Sequence, residues 1–153
     1  MGCDIHMYVE KKNGEGVYEY IKSVKPFNYR CYGMFAFLAG VRNYSAIKPI
    51  AEPRGLPNYL SKEVREIFKE NDDYHSCSWL SVKELSEFDY DQLMEDRREN
   101  KPIATNIFTG AHTVKVGEGK EMTYCEFLRE SFFEDLEVLE LIGADRIVFG
   151  FDN

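Results

Sequence analysis

The chain has 153 residues, 44% hydrophobic and 30% charged, long enough for one domain with a real core. Its net charge of −8 argues against broad binding to a nucleic-acid backbone, and no apolar run reaches the length of a membrane span. The first residues lack a basic region followed by an apolar stretch, and "MGC" is followed at position 6 by His, so neither a secretory signal nor lipidation is expected.

Residues 3–10 alternate strictly. Cys3, Ile5, Met7 and Val9 lie on one side, and Asp4, His6, Tyr8 and Glu10 on the other, which predicts a strand with one buried face. "KNGEG" predicts a hairpin turn, with "VYEYI" as the returning strand. "YGMFAFLAG" predicts a short buried helix ending near Gly40. Residues 43–60 carry Pro49, Pro53, Gly55 and Pro57 and predict a long irregular loop, of a length more often functional than connecting.

"SKEVREIFKE" predicts an exposed helix capped by Ser61. "HSCSWL" then leads into a second helix, opened by the capping box Ser81-Val82-Lys83-Glu84, and "DYDQLMEDRREN" predicts a polar helix. Residues 103–120 predict a hairpin or excursion. The box from Thr123 to Glu126 starts the longest helix, about 124–142, with Phe127, Leu128, Phe132, Leu136 and Leu139 on its stripe and Gly143 at its close. "RIVFGF" lacks polar alternation and predicts a central strand covered on both faces. The expected fold is a single α+β domain over residues 1–153, with helices packed on a mostly antiparallel sheet. Cys3, Cys31, Cys77 and Cys125 are widely spaced in hydrophobic contexts and read as reduced thiols.

The charge is uneven. Residues 20–54 hold Lys22, Lys25, Arg30, Arg42, Lys48 and Arg54 against Glu52 alone, in a chain that is otherwise acidic. Such an island suits a compact anion better than a long polyanion, and it equally suits a positive face answering the acidic helices.

The blocks "MGCDIHMYVE", "FAFLAGVRN", "PIAEPRGLP", "HSCSWLS" and "RIVFGFDN" together resemble a family of small phage and prophage proteins. Those proteins open with GCDIH, carry a PRGLP loop and an H-S-x-S-W-L segment, and end in a similar FDN. The resemblance spans nearly the whole chain in order. It implies a viral or prophage origin and the cytoplasm of a host cell, and it brings no catalytic mechanism. Two features depart from it: residues 103–120 look like a member-specific insertion, and Gly150 stands where an aromatic residue is expected.

Four constellations could carry chemistry. Asp4 and His6, two residues apart on one strand face, suit an acid and a base flanking one substrate, or two ligands of a metal; they equally suit each other on a solvated face. His75, Ser76 and Ser78 place donors ahead of a helix, with Trp79 able to stack on a ring; capping and core packing are the plainer reading. Arg42 and Arg54 sit on opposite arms of the irregular loop, with Tyr44 nearby. Arginine favours bidentate contact with phosphate, and an internal ion pair, for example with Glu52 or Asp4, is the competing role. No cofactor is expected; a divalent metal, if held, would sit on Asp4, His6 and His75.

The expectation is that Asp4, His6, Arg54 and His75 converge on one polar pocket, with Arg42, Tyr44, Ser76, Ser78 and Trp79 contacting the ligand. The function expected is binding of a small phosphorylated or nucleotide-like ligand, with sequestration or cleavage of a host signalling nucleotide. Cleavage would be a phosphodiesterase-type hydrolysis, with His6 and His75 as acid and base and Asp4 orienting one of them. No polymeric nucleic acid or membrane is expected as partner. The alternative is an inhibitor or adaptor that meets a host protein through an acidic helical surface, residues 61–73 and 84–99.

Overall fold

The computed structural model describes residues 2–114 and 119–153. In chain order its elements are β1 (Asp4–Lys12), β2 (Tyr18–Ile21), α1 (Tyr32–Ala39), α2 (Lys62–Glu70), β3 (His75–Ser81) and α3 (Val82–Glu87). They continue with β4 (Leu93–Asp96), β5 (Ala104–Thr105), β6 (His112–Thr113), β7 (Lys120–Thr123), α4 (Tyr124–Leu141) and β8 (Arg146–Asp152). The fold class is α+β with antiparallel sheets, as expected. The chain forms two compact units, one from residues 1–30, 53–87 and 134–153, the other from residues 31–52 and 88–133. No helix among the described residues is long and apolar enough to cross a membrane.

The first unit is built on a four-stranded sheet in the order β2-β1-β8-β3. The apolar β8 occupies the interior position that its lack of alternation predicted, antiparallel to β1 on one side and β3 on the other. Residues paired across strands share a face, so the register sorts the side chains. One face carries Ile5, Met7, Val9, Leu80, Ile147, Phe149 and Phe151, all buried. The other carries rows that run from polar to apolar and back: Asp4 with Asp152, His6 with Gly150, Tyr8 with Val148 and Trp79, Glu10 with Arg146 and Ser81, and Lys12 with Tyr18.

Helix α2 covers the middle of this second face. Val64 and Phe68 form its buried stripe and pack on Val148, ringed by Tyr8, Tyr20, Leu60, Tyr74 and Trp79. Ser61 caps the helix, its Oγ accepting from the Val64 amide at 3.4 Å. The Ser61 amide in turn donates to Glu10 Oε2 at 2.7 Å. Glu10 is fully buried and also accepts from Arg146 Nε at 2.8 Å, while Arg146 Nη2 donates to the Tyr59 carbonyl. One ion pair thus ties two strands, the helix start and the loop before it.

The second unit is organised around α1, whose residues Met34 to Ala39 are all buried. Phe37 packs edge-on or tilted against Phe88, Tyr90, Tyr124 and Phe132, with centroids 5.0–5.8 Å apart. Gly40 ends α1 in the left-handed conformation, as its position predicted. The loop after it turns on Asn43, whose side chain exchanges hydrogen bonds with the Ile47 backbone. The Thr123–Glu126 capping box is present: Thr123 Oγ1 accepts from the Glu126 amide at 3.1 Å.

"HSCSWL" is itself a strand, β3, which finds its hydrogen-bond partners on β8 and runs directly into the capped helix α3. Two expectations are corrected. "DYDQLMEDRREN" is not a helix. The Asp89 and Asp96 side chains accept from amides two residues on, and β4 pairs with β7 between them. Such local Asp bonds compete with helix formation. The acidic helical surface expected at 84–99 is therefore not formed; α3 ends at Glu87. Helix α4 is also not continuous: Arg129, at φ 67 and ψ 173, divides it in two. The expected hairpin at 103–120 exists as the β5–β6 pair, and its residues 115–118 lie outside the described ones.

Removing the Glu10 carboxylate charge leaves a buried guanidinium uncompensated. Glu10→Gln is expected to destabilise the fold by about 3–5 kcal/mol in chemical denaturation, and the apolar double replacement Glu10→Leu with Arg146→Met to recover most of that loss.

Candidate functional site

Beyond the Glu10–Arg146 row, the first unit opens into a groove of about 860 Å3. That lies within the roughly 300–1,000 Å3 usual for small-molecule sites. Its walls come from the end of β1, the turn and start of β2, the loop 54–60, α2 and β3. Among the described residues four cations line it, Lys12, Arg54, Arg65 and Arg146, with the rings of Tyr18, Tyr59 and Trp79 and no Asp or Glu. Three exposed large hydrophobic side chains, Val17, Leu56 and Tyr59, stand on its walls.

Two of the four cations are fixed in the same way. Arg146, 7% exposed, is held by Glu10, and its guanidinium lies 3.5 Å from the Tyr18 ring centre. Arg54 is held by Glu84, with Nη1 donating to Oε2 at 2.9 Å and Nη2 to Oε1, and its guanidinium lies 4.8 Å from the Trp79 ring centre. Each is a carboxylate–guanidinium–aromatic layer, which combines a charge-assisted pair with a cation–π contact. Glu84 also accepts from the Ser81 amide and hydroxyl at 2.8 and 3.0 Å, the predicted capping box. The Arg54 guanidinium is the largest cause holding the Glu84 carboxyl down at about 2, well below its ordinary 4.5, and the Ser81 bonds add to it.

The other two cations are not neutralised. The Lys12 and Arg65 side chains have no carboxylate partner among the described residues. Lys12 Nζ lies 5.2 Å from the Tyr18 ring centre, and Arg65 donates to the Leu60 carbonyl at 3.2 Å. Lys12 is tethered through its backbone amide, which donates to Asp145 at 2.6 Å.

Of the residues predicted from sequence, Arg54 and Trp79 line the groove. Arg54 uses its fork on Glu84, so the internal ion pair is the role observed, with a partner other than Glu52 or Asp4. Ser78 Oγ accepts from the Arg54 amide at 3.0 Å and so positions the arginine from behind. Arg42 and Tyr44 belong to the second unit, where Arg42 Nη1 donates to Tyr44 Oη at 3.1 Å.

Asp4 and His6 do share a face, but each has its own partner. Arg30 grips Asp4 with two bonds of 2.9 and 2.8 Å and holds its carboxyl below the usual range. His6 Nε2 lies 3.0 Å from Asp152 Oδ2, and its ring stacks on Tyr74 at 4.6 Å. Gly150 makes room for that stack: a Cβ there would meet Tyr74 Cβ and Cys77 Sγ at 3.2 Å, so Tyr74 fills the space where an aromatic was expected in Gly150's place. Tyr74 Oη meets Tyr8 Oη at 3.2 Å, and burial first, then this bond, push the Tyr8 hydroxyl above its ordinary range.

His75 pairs with Phe151, which places it on the opposite face from His6. Its Nδ1 lies 3.0 Å from Ser76 Oγ and its Nε2 3.3 Å from Asn153 Oδ1. The convergence of Asp4, His6, Arg54 and His75 on one pocket is not what this register builds, and the metal set of Asp4, His6 and His75 is divided between faces. Among the described residues no group of three or more His, Cys, Asp or Glu side chains is placed to hold a metal ion.

The sequence reading missed Lys12, Tyr18, Tyr59, Arg65 and Arg146 as groove residues. The signal available was Arg146 itself, a lone cation heading an otherwise apolar strand, matched by Glu10 at the polar end of the β1 alternation. Comparison with protein-family models, with curated proteins and with solved structures returns no match.

Glu84 gives the site a pH signature. Its folded pKa is depressed, so the stability it contributes is complete above about 4.5 and is lost as pH falls towards about 2. Wild type should therefore lose stability between these values faster than Glu84→Gln, as measured by urea denaturation at stepped pH; parallel curves would contradict the assignment. Because the pair is partly exposed, high salt should shrink the difference.

Proposed function

We infer that this protein binds a compact anionic, nucleotide-like ligand in the groove of its first unit and sequesters it. The reading rests on one observation: among the described residues, four cations and three aromatic rings and no carboxylate line the groove. Such a wall concentrates anions and offers flat apolar surface beside them. Arg54 and Arg146 are preset by Glu84 and Glu10, so their orientation is not lost to side-chain entropy when a ligand arrives.

Sequestration is favoured over cleavage. Hydrolysis of a phosphodiester calls for an acid and a base at the phosphate, and the groove lining has no His, Asp or Glu among the described residues. His6 and His75 point to opposite faces of the sheet and do not act together on one phosphate. With the phage or prophage resemblance, the ligand class that fits is a signalling nucleotide in the cytoplasm of a host cell.

A thermal-shift panel of nucleotides, with and without divalent metal, tests the reading. A ligand at 100 times its dissociation constant should stabilise the protein by about 2.7 kcal/mol. The shift should not require metal and should shrink as salt rises. Replacing both Lys12 and Arg65 by Ala should weaken binding by about tenfold or more, the scale of one lost bond to a charged group. No shift across the panel would contradict the function.

A further inference from the structure

The charges of the groove do more than attract an anion; they count it. Arg54 and Arg146 are matched one to one by Glu84 and Glu10. Among the described residues the Lys12 ammonium and the Arg65 guanidinium have no carboxylate partner and no acid lines the groove, which leaves two positive charges for the ligand to answer. A phosphate monoester carries close to two negative charges at pH 7, because its second ionisation lies near 6. A phosphodiester or a cyclic phosphate carries one and answers only half.

The rings discriminate in the same way. Tyr18 and Trp79 each have a guanidinium laid against them. Tyr59 has no such cover: it is 79% exposed, although its carbonyl is anchored by Arg146 Nη2. An aromatic ring on a fixed backbone, facing water beside Val17 and Leu56 in a cationic groove, is a platform for a flat partner.

Building on the sequestration reading, we propose that the groove selects a planar heteroaromatic phosphate monoester, such as a nucleoside monophosphate, drawing the dianion to Lys12 and Arg65 and stacking the ring on Tyr59.

Isothermal titration of the full chain with adenosine 5′-monophosphate, its 3′,5′-cyclic ester, ribose 5-phosphate, adenosine and inorganic phosphate tests this. Adenosine 5′-monophosphate should bind at least about tenfold tighter than each of the others, the cyclic ester lacking a charge, ribose 5-phosphate lacking the ring and adenosine lacking the phosphate. Tyr59→Ala should bring adenosine 5′-monophosphate down to the affinity of ribose 5-phosphate, and Tyr59→Phe should restore it. A melting curve unchanged by Tyr59→Ala would show that the loss is not a folding defect.

Equal binding of adenosine 5′-monophosphate and ribose 5-phosphate, with no effect of Tyr59→Ala, overturns the ring selection while the groove remains an anion site. Tighter binding of the cyclic ester overturns the charge count. Failure of every probe, inorganic phosphate included, overturns the sequestration reading together with this inference.

Discussion

A fully buried carboxylate, Glu10, decides where the rest of the first unit goes. It sits on the polar side of β1, faces Arg146 across the strand pair, and accepts from the amide of Ser61. Desolvating two charges is favourable only if both are well bonded, and here both are. Arg146 uses its remaining reach on the Tyr59 carbonyl, and Ser61 caps α2. Sheet, helix start and loop are thereby pinned at one point. The apolar patch of Val148, Val64 and Phe68 closes on one side of it, and the groove opens on the other.

The pin explains why a loop as irregular as residues 53–60 can present side chains reproducibly. Pro53, Gly55 and Pro57 restrict it locally. Gly55 N donates to the Cys77 carbonyl at 2.9 Å, Arg54 N to Ser78 Oγ, and the Tyr59 carbonyl is held by Arg146. Backbone is fixed at three places while the Leu56 and Tyr59 side chains stay in solvent. Charge is divided in the same spirit. Two arginines are consumed by carboxylates and aromatic faces, and the Lys12 and Arg65 side chains have no carboxylate partner among the described residues. A basic count alone would not have separated these roles.

Much of the fold was legible because its signals are local. The strict alternation of residues 3–10, the capping boxes at Ser81 and Thr123, the glycines at 40 and 143 and the apolar run at the end each specify an element from its own residues. What was missed was decided at a distance. "HSCSWL" becomes a strand because β8 lies beside it, and "DYDQLMEDRREN" loses its helix to Asp side chains and to pairing with β7. The site divides along the same line. The shared face of Asp4 and His6 follows from period two, but their partners Arg30 and Asp152, and the separation of His75 onto the other face, follow from register. Arg54 and Trp79 were found as chemistry suited to an anion; that they work as a stacked pair closed by Glu84 depends on packing that no spacing encodes.

The central claim is that the anion site is the groove over the Glu10–Arg146 row, and not the histidine ends of the sheet. Two-dimensional 1H–15N spectra recorded through a titration with adenosine 5′-monophosphate test it most directly, because backbone and arginine Nε signals report each place separately. The account predicts that shifts concentrate at Lys12, Val17, Tyr59 and the Arg65 side chain, with His6, Asp152 and His75 unmoved. Shifts centred on His6 and Asp152, or on His75 and Asn153, with a silent groove, would contradict it.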